Sequence, residues 1–509
     1  MVARNQHLVR QLQKEGALRA RAEQRVAELE REQQQRRPAV TASNSSLPPS
    51  ANPIGAKPPV VKRPTGRRPG GQIGHVGKSR TPLPEAQVNQ VIEHRPGVCR
   101  ECQNPIASDA PGEAVVGRRQ VAELPPMAVV ITEHRALACR CSRCGGVSRG
   151  TIPAEIQASV TGPRLSAAIG LLGASMKGSK RAIAMMLREV LGCPTFALGS
   201  VWAREAELSD ALAGPHQTLV SCAAKSTVKY VDETGWKLRG KRRWLFVSAD
   251  RAQVVFRIDK ARTRGAFQAL YGGGGGRAST SSTQPRRPPR GVFCTDRAGI
   301  YDMLKLTHRQ LCWAHLKRDL VAAIERGGAG EGAAMGMLSV CHEMFELWHR
   351  FRKKEITRAA LQAGIEPLRL RMRDALAEGA ACGQRKTAGL CRALLKREAA
   401  LWRFARTPGL EPTNNLAERM LRPAVIWRKK SFGSSSQAGC RYVERMLSVI
   451  QTLRLRGHAP LAYLAGAVAA YRKGEATRAI EPRRKVADCQ VNKTMAGSSG
   501  VQAEMLKVA

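Results

Sequence analysis

Apolar residues recur with a helical period from residue 164 to 225. Leu165, Ala168, Ile169 and Leu172 mark one face, and Ile183, Met186, Leu187 and Val190 mark another. The second run stops at Gly192, Pro194 follows, and a new helix is expected near Ala197. Helix, tight turn, helix suits a helix-turn-helix that reads DNA, a pattern shared with helix pairs that only pack. The period then changes. VKYVDETGWKL, RRWLFVSAD and VVFRID are three short β-rich runs, and a helix is expected near Arg264–Tyr271. GVFCTD predicts a fourth strand, Ile300–Leu304 a short helix, and RQLCWAH a fifth strand. Strands first in a meander and then alternating with helices predict a mixed sheet covered by helices. Residues 317–408 are almost entirely helical in pattern. A short helix over 413–422 should stop at Pro423. A long one over 437–456 turns Val443, Met446, Leu447 and Ile450 inward and ends at Gly457.

The ends of the chain lack such patterns. Residues 1–36 carry an incomplete stripe (Leu8, Leu12, Leu18, Val26, Leu29) that fits a short coiled coil or a solvated charged helix equally well. Residues 37–60 are a Ser, Asn and Pro linker, and VKRPTGRRPGGQIGHVGKSR at 61–80 is a basic arm suited to lying along phosphates. The tail after about 475 is basic and poor in large apolar residues. Charge sharpens this picture: 84 Lys and Arg against 40 Asp and Glu leave +44 over 509 residues, which implies a polyanionic partner, nucleic acid by default. No apolar stretch approaches the roughly 18–20 residues that span a bilayer, and Met1–Leu12 lacks the apolar core of a signal peptide. The expectation is a cytoplasmic, nucleoid-associated protein without a membrane partner.

Of the 14 cysteines, four form two Cys-x-x-Cys knuckles, Cys99–Cys102 and Cys141–Cys144. Each sets two thiolates on one tight turn, and two knuckles complete a closed tetrahedral zinc site, which is structural and not catalytic. Cys139 competes with Cys141 as a ligand. Arg100, Arg140 and Arg143 would present the module's charge to DNA.

Acidic residues are scarce, so their placement informs. Asp232 ends the run Val228–Val231, and Asp296 ends Val292–Thr295 in the same way. Glu418 lies in a short helix capped by Thr413 or Asn414. Two strand-borne aspartates and a helix-borne glutamate can converge on Mg²⁺, whose two-ion sites stabilise both oxygens of phosphoryl transfer. Each acid alone reads more simply as solvated or salt-bridged. Trp236 reads as core, and His315 either as a structural histidine or as a neighbour of the scissile phosphate.

The segments VDETGWKLRGKRRWLFV, TDRAGIYDML, RQLCWAHLKRDL and PTNNLAERMLRPAVIWRKKSFGS, with SNSSLPPSANP and RRPGGQIGHVGKSR upstream, resemble the transposases of the insertion-sequence-66 family. The resemblance runs from about residue 40 to about 470. It implies a DDE-class enzyme with an RNase H-like core, Asp232, Asp296 and Glu418 as catalytic metal ligands, and a helical insertion between the second Asp and the Glu. Glu411 and Glu444 are the rivals for the third acid. Mg²⁺ is the implied ion, with Mn²⁺ able to replace it. One departure is GGGGGRASTSSTQPRRPP at 272–289, longer and lower in complexity than expected between the first two catalytic strands. The sequence leaves its effect on activity open. It is not a P-loop, because no Gly-Lys-Ser/Thr follows.

The expected architecture is a multidomain α+β chain. A helical segment at 1–36 precedes a linker and basic arm at 37–89, a zinc module at 90–152 and a helical DNA-binding region at 160–225. An RNase H-like mixed sheet follows at 226–456, with its helical insertion at about 317–408, then a helical C-terminus and basic tail at 457–509. Expected DNA contacts are Arg67, Arg68 and Lys78 in the arm, with Arg419, Arg422, Arg428, Lys429 and Lys430 after the glutamate. The expected activity is binding of element ends, cleavage that frees a 3′-hydroxyl, and joining of that hydroxyl to target DNA. Double-stranded DNA, further copies of the chain on DNA and accessory proteins of the same element are the expected partners. The rivals are a catalytically inactive DNA-binding relative and a plain RNase H-like nuclease.

Overall fold

Alternate residues of the β-rich runs enter two different cores. Leu245, Val247, Val254, Phe256 and Ile258 face one cluster of buried side chains, while Phe246, Val255 and Phe293 face the other. A sheet buried on both faces explains why these strands read as nearly continuous apolar runs. The computed structural model describes residues 24–25 and 82–480, except 113, 125–126, 128, 158, 194–195 and 273–288. Most of the N-terminal helix, the basic arm with Arg67, Arg68 and Lys78, most of the 272–289 stretch and the tail from 481 lie outside the described residues.

The sheet has five strands: β3 (Val228–Leu238), β4 (Lys241–Ala249), β5 (Val254–Asp259), β6 (Val292–Thr295) and β7 (Arg309–Leu311). Their spatial order is β5-β4-β3-β6-β7. The meander β3-β4-β5 is antiparallel, whereas β6 and β7 join it in parallel, with Tyr230 beside Cys294 and Thr295 beside Leu311. The hairpin β1 (Ala138–Arg140) and β2 (Val147–Arg149) forms a separate two-stranded sheet. The expected fifth strand is shorter than RQLCWAH. It stops at Leu311, and Trp313 opens a helix whose apolar side (Trp313, Leu316, Leu320) enters the core.

Among the described residues, a single helical turn at Ala154–Gln157 and then α1 (Pro163–Met176), α2 (Lys180–Glu189), α3 (Leu198–Ala211) and α4 (Ala213–Lys225) precede the sheet. After β5 comes α5 (Arg264–Ala269). The region from 317 to 408 is helical as its pattern predicts, in α6 (Trp313–Glu325), α7 (Glu331–Arg352), α8 (Arg358–Ala381) and α9 (Arg385–Leu395). Then follow α10 (Asn415–Ser431), α11 (Gln437–Leu455) and α12 (Pro460–Arg472). Helices α6 to α10 cover one face of the sheet. Residues of α1, α3, α4, α5, α11 and α12 share the core on the other, whereas Ile183, Ala184 and Leu187 of α2 pack with Ile169, Phe196 and Val201 in a small separate cluster.

Helix α10 overruns its expected stop and continues through Pro423 to Ser431. Proline costs a backbone hydrogen bond inside a helix, but Leu416, Ala417, Leu421 and Ala424 bury that stretch, and tertiary packing overrides the local signal. Helix α11 protects the open edge of β5. Glu444, Ser448 and Thr452 stand one turn apart and accept the amides of Ile258, Phe256 and Val254 at 2.6, 2.9 and 3.0 Å. A row of side chains thus takes the place of a sixth strand.

Candidate functional site

Side-chain alternation sets the site. Asp232 shares its sheet face with Tyr230, the face that α6 to α10 cover. Asp296 follows β6 directly and has the parity of Cys294, which enters that same core. Glu418 lies in the first turn of α10, which packs there through Leu416, Ala417 and Leu421. Burial is the main force that lifts the Asp232 carboxyl well above the usual carboxylate range, followed by the charges of Glu233, Asp296 and Glu418. The three acids are therefore neighbours in one field.

Helix α10 is fastened to β3 along its length. Asn414, fully buried, donates Nδ2–H to the carbonyl of Val231 at 2.8 Å, one residue before Asp232. The Asn414 amide donates to Cys312 Sγ at 3.1 Å, and its carbonyl accepts the Glu418 amide at 3.2 Å. Asn414 occupies the N-cap position, but its side chain spans to the sheet and does not cap the helix. Farther along, Arg428 Nη1 donates to Thr234 Oγ1 at 3.0 Å and to the Gly235 carbonyl. Past the helix end, Gly433 adopts a φ of 115°, and a Cβ there would lie 2.3 Å from the Lys237 carbonyl. The Ser434 amide donates to that carbonyl at 2.9 Å, and Trp236 Nε1 donates to Ser434 Oγ at 3.2 Å.

Around the acids lie several groups that the sequence reading did not single out. Arg262 pairs with Glu233 and stands 3.6 Å from Asp296 Oδ2. Tyr301 donates its hydroxyl to Glu233, whose carboxyl is raised chiefly by burial and then by Asp296. Asp296 Oδ1 accepts the Ala298 amide at 2.9 Å, a turn that holds the carboxylate in place. Glu418 Oε1 is 3.6 Å from His315 Nδ1 and 3.7 Å from Arg318 Nη2. Both Oε1 and Nδ1 are buried without a hydrogen-bond partner. Burial first, and then Arg318, lower the pKa of His315. Asp232, Asp296 and Glu418 offer the carboxylate oxygens that a hard dication takes, and one of them, Glu418 Oε1, is an orphaned buried atom, but the three do not gather within 4.8 Å of one another. The long-range contacts of Arg262, Tyr301 and Asn414 left no local signal in the chain. Cys312 and His315 did leave one, an i, i+3 spacing at a helix start.

The rival acids have other work. Glu444 binds the edge of β5, and burial raises its pKa to about 7. Glu411 stands 3.8 Å from both Arg251 and Arg352. Arg419, Arg422, Lys429 and Lys430 are exposed on α10, but Arg428 is half-buried and its Nη1 braces β3. Trp236 and Trp313 are buried, and Trp313 Nε1 donates to the Leu401 carbonyl at 2.7 Å.

Both cysteine knuckles form. The amides of Glu101 and Cys102 bond to the Cys99 sulfur and those of Arg143 and Cys144 to the Cys141 sulfur, which lowers both thiol pKa values. Gln103 and Gly145, each just after its knuckle, take positive φ of 60° and 71°. The two pairs do not share one centre here. Among the described residues, the group of metal-ligating atoms within 4.8 Å of one another is Cys312, His315 and Glu418. Cys139 lies on β1 opposite Ser148.

Residues 198–442 match the model of the transposase IS66 family. The uncharacterized protein y4qI of Sinorhizobium fredii (strain NBRC 101917 / NGR234) is 29% identical over 180 residues, 33% of this chain and 32% of that protein. The chain thus spans about a third of the length of the curated relative it matches. No solved structure matches. Among the described residues, no helix is long and apolar enough to cross a membrane.

Proposed function

We propose, from the match of residues 198–442 to the model of the transposase IS66 family, that the chain is a DDE transposase acting on double-stranded DNA. It binds element ends, cleaves them to free a 3′-hydroxyl, and joins that hydroxyl to target DNA. The observation that carries this reading is the convergence of Asp232, Asp296 and Glu418 on one sheet face, where Asp232 feels both other charges. Further support comes from the strand order β5-β4-β3-β6-β7, antiparallel on one side of β3 and parallel on the other. That arrangement is the one expected of an RNase H-like core. The helical segment between Asp296 and Glu418 would be its insertion.

Asp232, Asp296 and Glu418 would hold two Mg²⁺ ions, or Mn²⁺ in their place, and such ions would supply positive charge to the attacking and leaving oxygens of phosphoryl transfer. The chain's own part is orientation. The Asn414 bridge sets Glu418 against β3, and the turn at Ala298 sets Asp296. Arg262, held by Glu233, offers a counter-charge beside Asp296. Burial and the neighbouring carboxylates favour the protonated form of Asp232 and a bound cation would oppose it, so metal loading would be proton-linked. Phosphates along the DNA would meet the exposed Arg419, Arg422, Lys429 and Lys430, with Arg67, Arg68 and Lys78 of the arm. Arg428 would act indirectly, by bracing β3 beneath them. Cys99 with Cys102 and Cys141 with Cys144, which stand apart in this structure, would have to come together to hold a structural Zn²⁺. Further copies of the chain and accessory proteins of the element would complete the assembly on DNA.

The test uses Asp232→Asn, Asp296→Asn and Glu418→Gln in the full chain. Each should bind end-containing DNA as well as the parent and lose cleavage by several orders of magnitude, because the ions act mainly as charge develops in the transition state. Cleavage at the parental rate by both aspartate variants would replace this reading with that of an inactive DNA-binding relative.

A further inference from the structure

Two helix starts meet beside the acids. Cys312 is the N-cap of α6, His315 lies in its first turn, and Glu418 lies in the first turn of α10. Cys312 is almost fully buried, yet its sulfur sits among polar groups. Backbone amides of Asn414, His315 and Ala314 all bond to it. Burial outweighs these N–H groups and lifts the Cys312 thiol to about 12, so the thiolate would form only with a cation beside it, where the same amides would help to hold it. Opposite the sulfur stand two buried atoms with no hydrogen-bond partner, His315 Nδ1 and Glu418 Oε1, 3.6 Å apart. Ligand atoms of all three side chains fall within 4.8 Å of one another.

From this geometry we propose that Cys312, His315 and Glu418 form a transition-metal site, separate from the cysteine knuckles, whose ion is Zn²⁺. One sulfur, one imidazole and one carboxylate are the ligand types that zinc takes, whereas Mg²⁺ prefers oxygen alone. The fourth position is left to water. Zinc binding breaks the Cys312 S–H bond and sends the proton to solvent, and the three amides remain on the thiolate. It also gives the two orphaned atoms a partner. Arg318, 3.7 Å from Glu418 Oε1, supplies the charge that now faces this carboxylate, and the ion takes over that contact. The ion's task is positional. Through Oε1 it would fix the position of Glu418. The site shares Glu418 with the proposed catalytic triad but does not rest on the transposase reading.

Metal content of the full chain tests this without DNA and without turnover. Protein is purified under reducing conditions, dialysed against metal-free buffer and measured for zinc. The parent should hold about one equivalent more than Cys312→Ser or His315→Gln. Cys99→Ser with Cys102→Ser should instead lose the knuckle zinc and keep this one. Cobalt gives a second readout. With all four knuckle cysteines replaced by Ser, the chain should still show sulfur-to-cobalt charge-transfer absorption, and Cys312→Ser should abolish it. If Cys312→Ser does not fold, His315→Gln decides, because the His315 side chain is only partly buried and glutamine is close to it in size. Zinc content unchanged in a folded His315→Gln, or a cobalt spectrum without the sulfur band, overturns the proposal. Failure of the triad variants to lose cleavage would overturn the transposase reading and leave this one standing.

Discussion

Asn414→Ala should show how far one side chain holds the site together. Asn414 is fully buried, and its Nδ2 reaches the Val231 carbonyl at 2.8 Å, next to Asp232. Truncation removes that bond and leaves the carbonyl facing a small void. An unsatisfied buried group costs about 1–3 kcal/mol, and the lost bond itself about 1 kcal/mol. Some of this is returned, because Asn414 Oδ1 is itself buried without a partner and disappears with the side chain. The net loss should be about 2 kcal/mol, read as a shift of the urea midpoint at unchanged slope. The larger effect should be catalytic. The Asn414 carbonyl starts α10 by accepting the Glu418 amide, so loosening the bridge lets Glu418 drift from Asp232. A misplacement of about 1 Å costs on the order of 10²-fold in rate. Single-turnover cleavage of end-containing DNA should fall by about that factor while DNA affinity holds. Stability lost with cleavage intact would make the bridge merely structural. Neither lost would refute the claim that it joins β3 to α10.

Two further outcomes follow from the same structure. Burial raises Glu444 from its usual 4.5 to about 7, so the folded state holds the proton more tightly than the unfolded chain. The stability this group contributes is complete below about pH 4.5 and is lost as pH rises through about 7. Glu444→Gln keeps an acceptor for the Ile258 amide, so melting curves across this range should flatten, by about 2–4 kcal/mol at pH 8, with cleavage retained. An unchanged pH profile, or a dead Glu444→Gln with an active Glu418→Gln, would reverse the roles given to the two glutamates. DNA binding should fall by roughly 10³–10⁵ between 50 and 200 mM salt if about six to ten phosphates are neutralised. Deleting 61–80 should flatten that slope, and affinity indifferent to salt would contradict the electrostatic reading of the +44 charge.

The sheet was legible because it is buried on both faces. Runs such as Val254–Ile258 advertise that by carrying apolar residues at nearly every position. Asp232 and Asp296 stood out as acids at the ends of such runs, and Glu418 as an acid in a helix start. What the chain could not announce is contact across long separations. Asn414 meets Val231 183 residues away, and Arg262 meets Glu233 across 29. Arg428 read as one more cation in a basic run, because nothing local reveals that it turns inward to Thr234 and Gly235. Pro423 misled for a related reason: its local cost is real, but the burial of Leu421 and Ala424 on either side outweighs it.

The central claim is that Asp232, Asp296 and Glu418 work as one metal-dependent strand-transfer site, and a joining assay meets it most directly. Full-length chain is mixed with element-end DNA already cut to expose its 3′-hydroxyl, and with a supercoiled target. With Mg²⁺ or Mn²⁺, covalently joined product should form; with Ca²⁺, the DNA should be bound and left unjoined. Asp296→Asn should bind the same ends and yield no product in any of the three ions. Joined product from Asp296→Asn at the parental rate, or none from the parent while it binds the ends tightly, would contradict the account.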